Sequence, residues 1–326
     1  MKRRFAAVVA LLILAVTASL CFGAVPLSPA ALFRALTGDA SETAFVIVRY
    51  SRLPRTVAAV LAGAALSVSG CLFQTVLGNK LASPGIIGVN AGAALAVAVC
   101  ASVGVLSGWL FSAAAFMGAL FATGIVMLIA WKTGASRTTI ILSGVALNSI
   151  LNAFRDALHA LFPAAALTGS EFRVGGFSAV VPARLLPAAV LIALGLAFVF
   201  LSANDLDVLS LGEDTAKSLG LRVGAMRTLF LTAGAMLAGC AVSFAGTLSF
   251  VGLLVPHIAR RLIGTESAKL LPFCALGGAA FLTACDLLSR VMFAPYELPV
   301  GIIMSVAGGP FFLYLLIKNR GGHAHA

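Results

Sequence analysis

The stretch "RLPRTVAAVLAGAALSVSG" occupies residues 52–70. Two arginines bracket Leu53 and Pro54, and a long run of apolar and small residues follows. About twenty such residues match the hydrocarbon thickness of a bilayer. Two full charges therefore stand at the mouth of a membrane-length segment. Pro54 suits the first turn of a helix, where its missing N–H costs nothing. It would hold Arg52 and Arg55 rigidly at a rim. Which side of the membrane that rim faces is the question the remaining residues have to answer.

Of the 326 residues, 61% are hydrophobic and 10% charged, with a mean hydropathy of +1.08. A soluble domain is nearer half apolar and a quarter charged. The composition excludes that class and points to an all-α polytopic membrane protein. The aqueous connections are too short for a separate soluble domain, so residues 1–326 read as one transmembrane domain. Thirty-three glycines suit close helix packing in lipid. The six cysteines (Cys21, Cys71, Cys100, Cys240, Cys274, Cys285) lie singly in apolar runs without a C-x-x-C pair, as small buried residues do. No metal site is expected, and the tail "GGHAHA" reads as a disordered end. The start, "MKRRFAAVVALLILAVTASLC", has a basic head. Its apolar run is longer than a signal peptide's, so it reads as an uncleaved first helix.

Ten spans follow from hydropathy: roughly 5–24, 56–77, 85–106, 109–131, 138–160, 186–203, 229–247, 250–264, 271–292 and 300–317. The eighth is short and carries Pro256 and His257, so a broken or partly inserted helix is expected there. With the N-terminus inside, fourteen of the 22 lysines and arginines fall on cytoplasmic segments and eight on the opposite side. That excess places both termini in the cytoplasm. It also places Arg52 and Arg55 outside, against the trend. Snorkelling at the interface and a function at the outer rim are both open. Asp286 and Arg290, four residues apart, can pair on one helix face.

Residues 204–228 form a polar cytoplasmic connection. Ser210 and Glu213 have the S-x-x-E spacing of a capping box, and Gly220 suits the position just past a helix end. A short helix over 211–219 is expected, either built to dock something or lying on lipid at the interface. Three segments mix proline and glycine with apolar residues: "GNKLASPGIIGVNAGAA", "FVGLLVPHIARRLIG" and "APYELPVGIIMSVAGGP". Such breaks are common in transporters. There is no G-x-x-x-x-G-K-[ST] loop, no H-E-x-x-H and no nucleophile elbow. Buried ionisable residues are too few for an obvious proton relay. The chain has transporter architecture without an energy source of its own.

The segment from Arg52 through "GNKLASPGIIGVNAGAA", with "LSLGEDTAKSLGL", "FVGLLVPHIARRLIG" and "ELPVGIIMSVAGGPFFLYLL", resembles the permease subunit of type II ABC importers. These carry iron–siderophores, haem or vitamin B12. The resemblance runs from about residue 26 to 317. It implies ten helices with both termini cytoplasmic, and a homodimer in the bacterial inner membrane with its pathway at the subunit interface. Two ATP-binding partner subunits would supply ATP and Mg chemistry, so no enzyme activity and no cofactor are expected in this chain. They would dock on Leu211, Gly212, Glu213, Ala216, Leu219 and Gly220. A periplasmic or lipid-anchored binding protein would meet Arg52, Arg55 and Arg290. The cytoplasmic gate would lie around Ser136, Thr138 and Thr139. Arg155, near the outer mouth, could meet an anionic metal chelate, or pair with a neighbouring helix.

The implied substrate is an iron–siderophore or related metal chelate, with vitamin B12 or haem as the alternative and no nucleic-acid partner. An ion-coupled secondary carrier is the reading from a different class. One departure from the family pattern is Lys80, where proline is usual.

Overall fold

The computed structural model describes residues 1–23, 25–37, 42–106, 108–133, 136–178 and 180–320. The tail "GGHAHA" lies outside these. Among the described residues the chain is helical, without strands. In order come α1 (Lys2–Cys21), α2 (Pro29–Thr37) and α3 (Glu42–Val46), which runs through a π-helical turn, Ile47–Arg52, into α4 (Leu53–Val76). A 3-10 turn, Pro84–Ile87, precedes α5 (Val89–Ser102), α6 (Trp109–Thr133), α7 (Arg137–Leu161), α8 (Pro163–Val174) and α9 (Pro182–Leu201). Then follow α10 (Ala203–Ser210), α11 (Glu213–Ser218), α12 (Val223–Ala245), α13 (Val251–Ile263), α14 (Ser267–Val291) and α15 (Val300–Arg320).

Each expected span has its helix: α1, α4, α5, α6, α7, α9, α12, α13, α14 and α15. Five are long and apolar enough to cross a bilayer on that basis alone, among them the continuous Ala44–Val76. The pair Leu185–Leu201 and Ala203–Ser210, bent by 59°, makes a sixth if counted as one. Helices α2, α3 and α8 occupy stretches that hydropathy left as connections. All six cysteines are free thiols.

The opening stretch forms the centre. α4 packs on α12, α13 and α14, and almost every residue from Ala58 to Val76 is buried. Its small residues let backbones touch. A Cβ added to Gly63 or Gly278 would stand 2.2 Å from the other's carbonyl oxygen. One added to Gly70 would stand 1.8 Å from the Gly252 oxygen. In lipid, close van der Waals contact of this kind takes the place of hydrophobic driving force between helices.

The Gly252 contact also explains α13. A helix broken at Pro256 or only partly inserted was expected here; the helix is unbroken and runs 13 residues through the proline. Proline lacks the N–H that would bond the carbonyl four residues back, here that of Gly252. Gln74 Nε2 on α4 donates to that oxygen at 3.0 Å instead. The buried acceptor is satisfied and the helix continues.

The "GNKLASPGIIG" segment breaks as expected. Gly78 turns with φ 60°, Leu81 N donates to Asn79 Oδ1 at 2.9 Å, and α5 starts only at Val89. Glycine and asparagine build this turn, and exposed Lys80 contributes no bond to it, so proline is dispensable there. The exposed carbonyls of the 3-10 turn are met by α7, whose Asn148 Nδ2 donates to Gly85 O at 2.8 Å and Ile86 O at 3.1 Å. Irregular backbone at membrane depth needs such partners.

Gly70→Val should destabilise the protein by more than the roughly 1–3 kcal/mol typical of overpacking, because the obstacle is backbone. Gly124→Ala on α6, where an added Cβ meets nothing within 4 Å, should be neutral or stabilising. Thermal melts in detergent check both, and equal melting temperatures for the two variants would contradict the packing account.

Candidate functional site

The polar features gather at four places. At one end of α4, the three arginines expected at an exposed rim do converge, but they are buried: Arg52 4% exposed, Arg55 9%, Arg290 4%. Arg52 Nη1 donates to Leu20 O and Cys21 O, both at 2.8 Å, and Nη2 to Val25 O. Arg55 Nε donates to Asp286 Oδ1 at 2.9 Å and Nη1 to Glu297 Oε2 at 2.7 Å. Arg290 pairs with the other Asp286 oxygen at 3.2 Å and donates through Nη2 to Ser19 Oγ at 2.7 Å. Ser19 Oγ in turn meets Thr56 Oγ1 at 2.8 Å. The expectation of free rim charges is corrected in this respect: the guanidinium groups are bonded inward. What they leave exposed beside them is the turn after α14, with Met292, Phe293 and Tyr296 open. The spacing of Asp286 and Arg290 foresaw their pairing; Ser19 and Glu297 were missed. For Ser19 a hydroxyl inside an apolar span was the available signal; Glu297 lies in the connection between α14 and α15.

At the opposite end of α14, the 204–228 connection holds two helices, α10 and α11. Ser210 does not cap α11, because it ends α10 and donates to Asp207 O at 2.7 Å. Gly212, at φ 108°, turns the chain, so the helix starts at Glu213 rather than 211. Gly220 takes φ 83° just past its end, as expected. Leu211 and Leu219 stand 60% and 62% exposed while Ala216 is buried. Glu213 bonds Lys217 at 3.0 Å and Arg227 at 3.1 Å. The Lys217 bond first, then Arg227, holds the Glu213 carboxyl below its usual range. Asp207 on α10 accepts the Ser267 N–H at 2.9 and 3.1 Å, capping the start of α14. α14 is thus tied to the connection at one end and to the arginine cluster at the other.

The third place is the start of α7. Ser136 is its N-cap, its Oγ accepting from Thr139 N at 3.3 Å. Thr138 is exposed beside it. Residues 134 and 135 lie outside the described residues. Arg137 lies over Gly78, where a Cβ would come 2.4 Å from its Nη1.

The fourth is farther along α7. Arg155 lies flat between Asp156 Oδ1 (2.7 and 3.0 Å) and Asn152 Oδ1 (2.9 Å). It lines a cleft of about 250 Å³ with Asn90, Asn148, Asn152, Arg173 and Thr247. The Asp156 side chain is 65% exposed. α7 packs on α5, α6, α8 and the 3-10 turn, and its outer face carries exposed Leu142, Val145, Ile150 and Phe154 beside Ser149 and Asp156. A lipid-facing surface rarely carries an exposed carboxylate, even one paired with an arginine as Asp156 is.

Residues 11–318 match the FecCD transport family. Over 290 residues the chain is 40% identical to the Fe(3+)-citrate import system permease protein YfmD of Bacillus subtilis, covering 84% of this chain and 82% of that protein. Over 317 residues it is 35% identical to the vitamin B12 import system permease protein BtuC of Citrobacter koseri, covering 95% and 92%. Its fold matches a solved transporter described as of metal-chelate type, in an inward-facing conformation, with a TM-score of 0.86 at 27% identity, covering 97% of this chain and 99% of that one.

Removing Asp286 would leave two buried guanidiniums facing each other. Breaking a buried pair on one side costs about 3–5 kcal/mol. Asp286→Ala should therefore melt far below wild type in detergent, and Asp156→Ala, an exposed pair worth about 0–1 kcal/mol, close to it. An unshifted melt for Asp286→Ala would contradict the cluster's structural weight.

Proposed function

Because the chain belongs to the FecCD transport family, we propose that it is the permease of an ATP-driven importer of a metal chelate, working by alternating access between two copies of itself. The family is one of transport subunits, not enzymes. In this reading ten helices cross the bacterial inner membrane and both termini lie in the cytoplasm. Partner subunits bind and hydrolyse ATP. They seat on the projecting Leu211 and Leu219 of the α10–α11 elbow, with Gly212, Glu213, Ala216 and Gly220 setting its shape. Asp207 passes the push to α14.

The observation that carries the pathway is the mixed outer face of α7. Its exposed Asp156 and Ser149 suit a water-lined route, and its exposed leucine, valine, isoleucine and phenylalanine suit a second copy. Ser136, Thr138 and Thr139, at the cytoplasmic end of the same helix, form the gate. At the outer end a substrate-binding protein docks. Arg52, Arg55 and Arg290 serve that docking by fixing the turn that carries Met292, Phe293 and Tyr296, rather than by offering free charge.

An iron chelate is the cargo this reading favours, in line with the relative named for Fe(3+)-citrate. The relative named for vitamin B12 keeps a corrinoid, or haem, as the second reading.

The test is uptake by the chain reconstituted with its ATPase partner and binding protein in sealed vesicles. Radiolabelled iron chelate should enter only when ATP is present on the cytoplasmic side. Leu219→Asp, at an exposed position, should abolish that uptake at an unchanged melting temperature. Uptake without ATP, driven by an ion gradient, would favour a secondary carrier and contradict the proposal. Undiminished uptake by Leu219→Asp would remove the docking assignment.

A further inference from the structure

The cleft beside Arg155 has a donor set that the transport reading does not use. Resting on that reading, we propose that it takes a carboxylate arm of an anionic metal chelate, with Arg173 as the principal contact. Asn148, Asn152 and Arg155 stand at i, i+4 and i+7, one stripe of α7. At 1.5 Å per residue Arg155 lies about 27 Å from the start of that helix, far from the Ser136 end. α5 contributes Asn90, and the end of α8 contributes Arg173.

The hydrogen bonds fix what each group has left to offer. Asn148 spends its amide hydrogens on Gly85 O and Ile86 O. Asn152 gives its oxygen to Arg155 Nη1, so its amide N–H groups remain as donors. Arg155 is engaged by Asn152 and Asp156 and is partly neutralised. The Asn90 and Arg173 side chains make no hydrogen bond or ion pair among the described residues. The lining holds two guanidiniums and no carboxylate. Asp156 beside it answers Arg155, and Glu171, two residues before Arg173, lines a different cavity with Arg55 and Glu297. The charge of Arg173 is unanswered.

The backbone at Arg173 is also held in place. It lies in the last turn of α8, whose final carbonyls are taken: Phe172 O by Thr247 N at 2.9 Å, and Arg173 O by Thr247 Oγ1 at 2.6 Å. These bonds fix the backbone that carries Arg173, and its exposed planar guanidinium, with free N–H donors, matches a carboxylate in bidentate fashion. The cleft's 250 Å³ falls below the roughly 300–1,000 Å³ of a pocket for a whole small molecule. It therefore holds one arm of the chelate, and the rest lies in the route beyond.

The experiment uses the transporter assembled with its ATPase partner in nanodiscs, with equilibrium dialysis of two radiolabelled iron chelates. One is ferric citrate, anionic and rich in carboxylates; the other is a ferric trihydroxamate without free carboxylates. The expected result is preferential binding of ferric citrate, weakened by salt and reduced about ten-fold or more in Arg173→Gln, as loss of a charged hydrogen bond implies. Asn90→Asp, which places a carboxylate in the cleft, should reduce it as well. Melting temperatures near wild type confirm that both variants are folded. Equal binding of the two chelates, unchanged binding in both variants, or no binding of either chelate would overturn the proposal. ATP-driven uptake in vesicles separates the two levels. Uptake of some metal chelate that is indifferent to Arg173→Gln leaves the importer reading standing and removes this site. Absence of ATP-driven uptake for every chelate removes the importer reading itself.

Discussion

A carboxylate with no solvent exposure has to be compensated where it stands, and Asp286 is compensated from two directions. Arg55 approaches from α4, and Arg290 from one turn along its own helix. The cluster holds three guanidiniums against two carboxylates, Asp286 and Glu297. The surplus positive charge goes to α1, whose terminal carbonyls at Leu20 and Cys21 accept from Arg52. The C-terminal end of a helix carries partial negative charge and unpaired carbonyls, which suits cations. This accounts for arginines at the mouth of the membrane-length stretch. They close α1 onto α4 and α14, whatever the bias of orientation.

The same helices are joined along their length by contacts that tolerate no added atom. Gly63 meets Gly278, and Gly70 meets Gly252. The Gly252 carbonyl, freed by Pro256, is bonded by Gln74. Sterics and hydrogen bonding thus agree on one register between α4 and α13. α14 is capped by Asp207 at one end and clamped through Asp286 and Arg290 at the other. A displacement of the α10–α11 elbow therefore has a stiff path through the molecule, while α7 packs mainly on α5, α6, α8 and the 3-10 turn.

Much of this was legible in the chain. Helix positions follow from hydropathy, because in lipid a helix satisfies its own backbone. Gly220 marks a helix end, because a left-handed φ favours glycine. The pairing of Asp286 and Arg290 follows from helical spacing. The tie of Arg55 to Asp286 joins residues 231 apart, and no local pattern encodes it. Ser210 and Glu213 show the limit of motif reading: the spacing is right, but α10 still claims Ser210, and Gly212 takes the cap position. α8 escaped notice because its twelve residues mix apolar and polar types without a membrane-length run. The inward turn of Arg52 was hidden because the carbonyls it meets carry no sequence signature. Pro256 misled for the same reason, since the remedy sits on another helix.

If alternating access operates as proposed, α1, α4 and α14, locked through Asp286, move as one body while α7 moves against them. Double electron–electron resonance on the reconstituted transporter tests it directly. Spin labels at Leu14 on α1 and Leu288 on α14, both exposed, report on the locked body. Labels at Leu142 on α7 and Leu288 report on the moving pair. The account predicts an unchanged α1–α14 distance distribution between nucleotide-free and ATP-bound states, with a shifted α7–α14 distribution. An α1–α14 distance that changes with nucleotide, or an α7–α14 distance that does not, would contradict it.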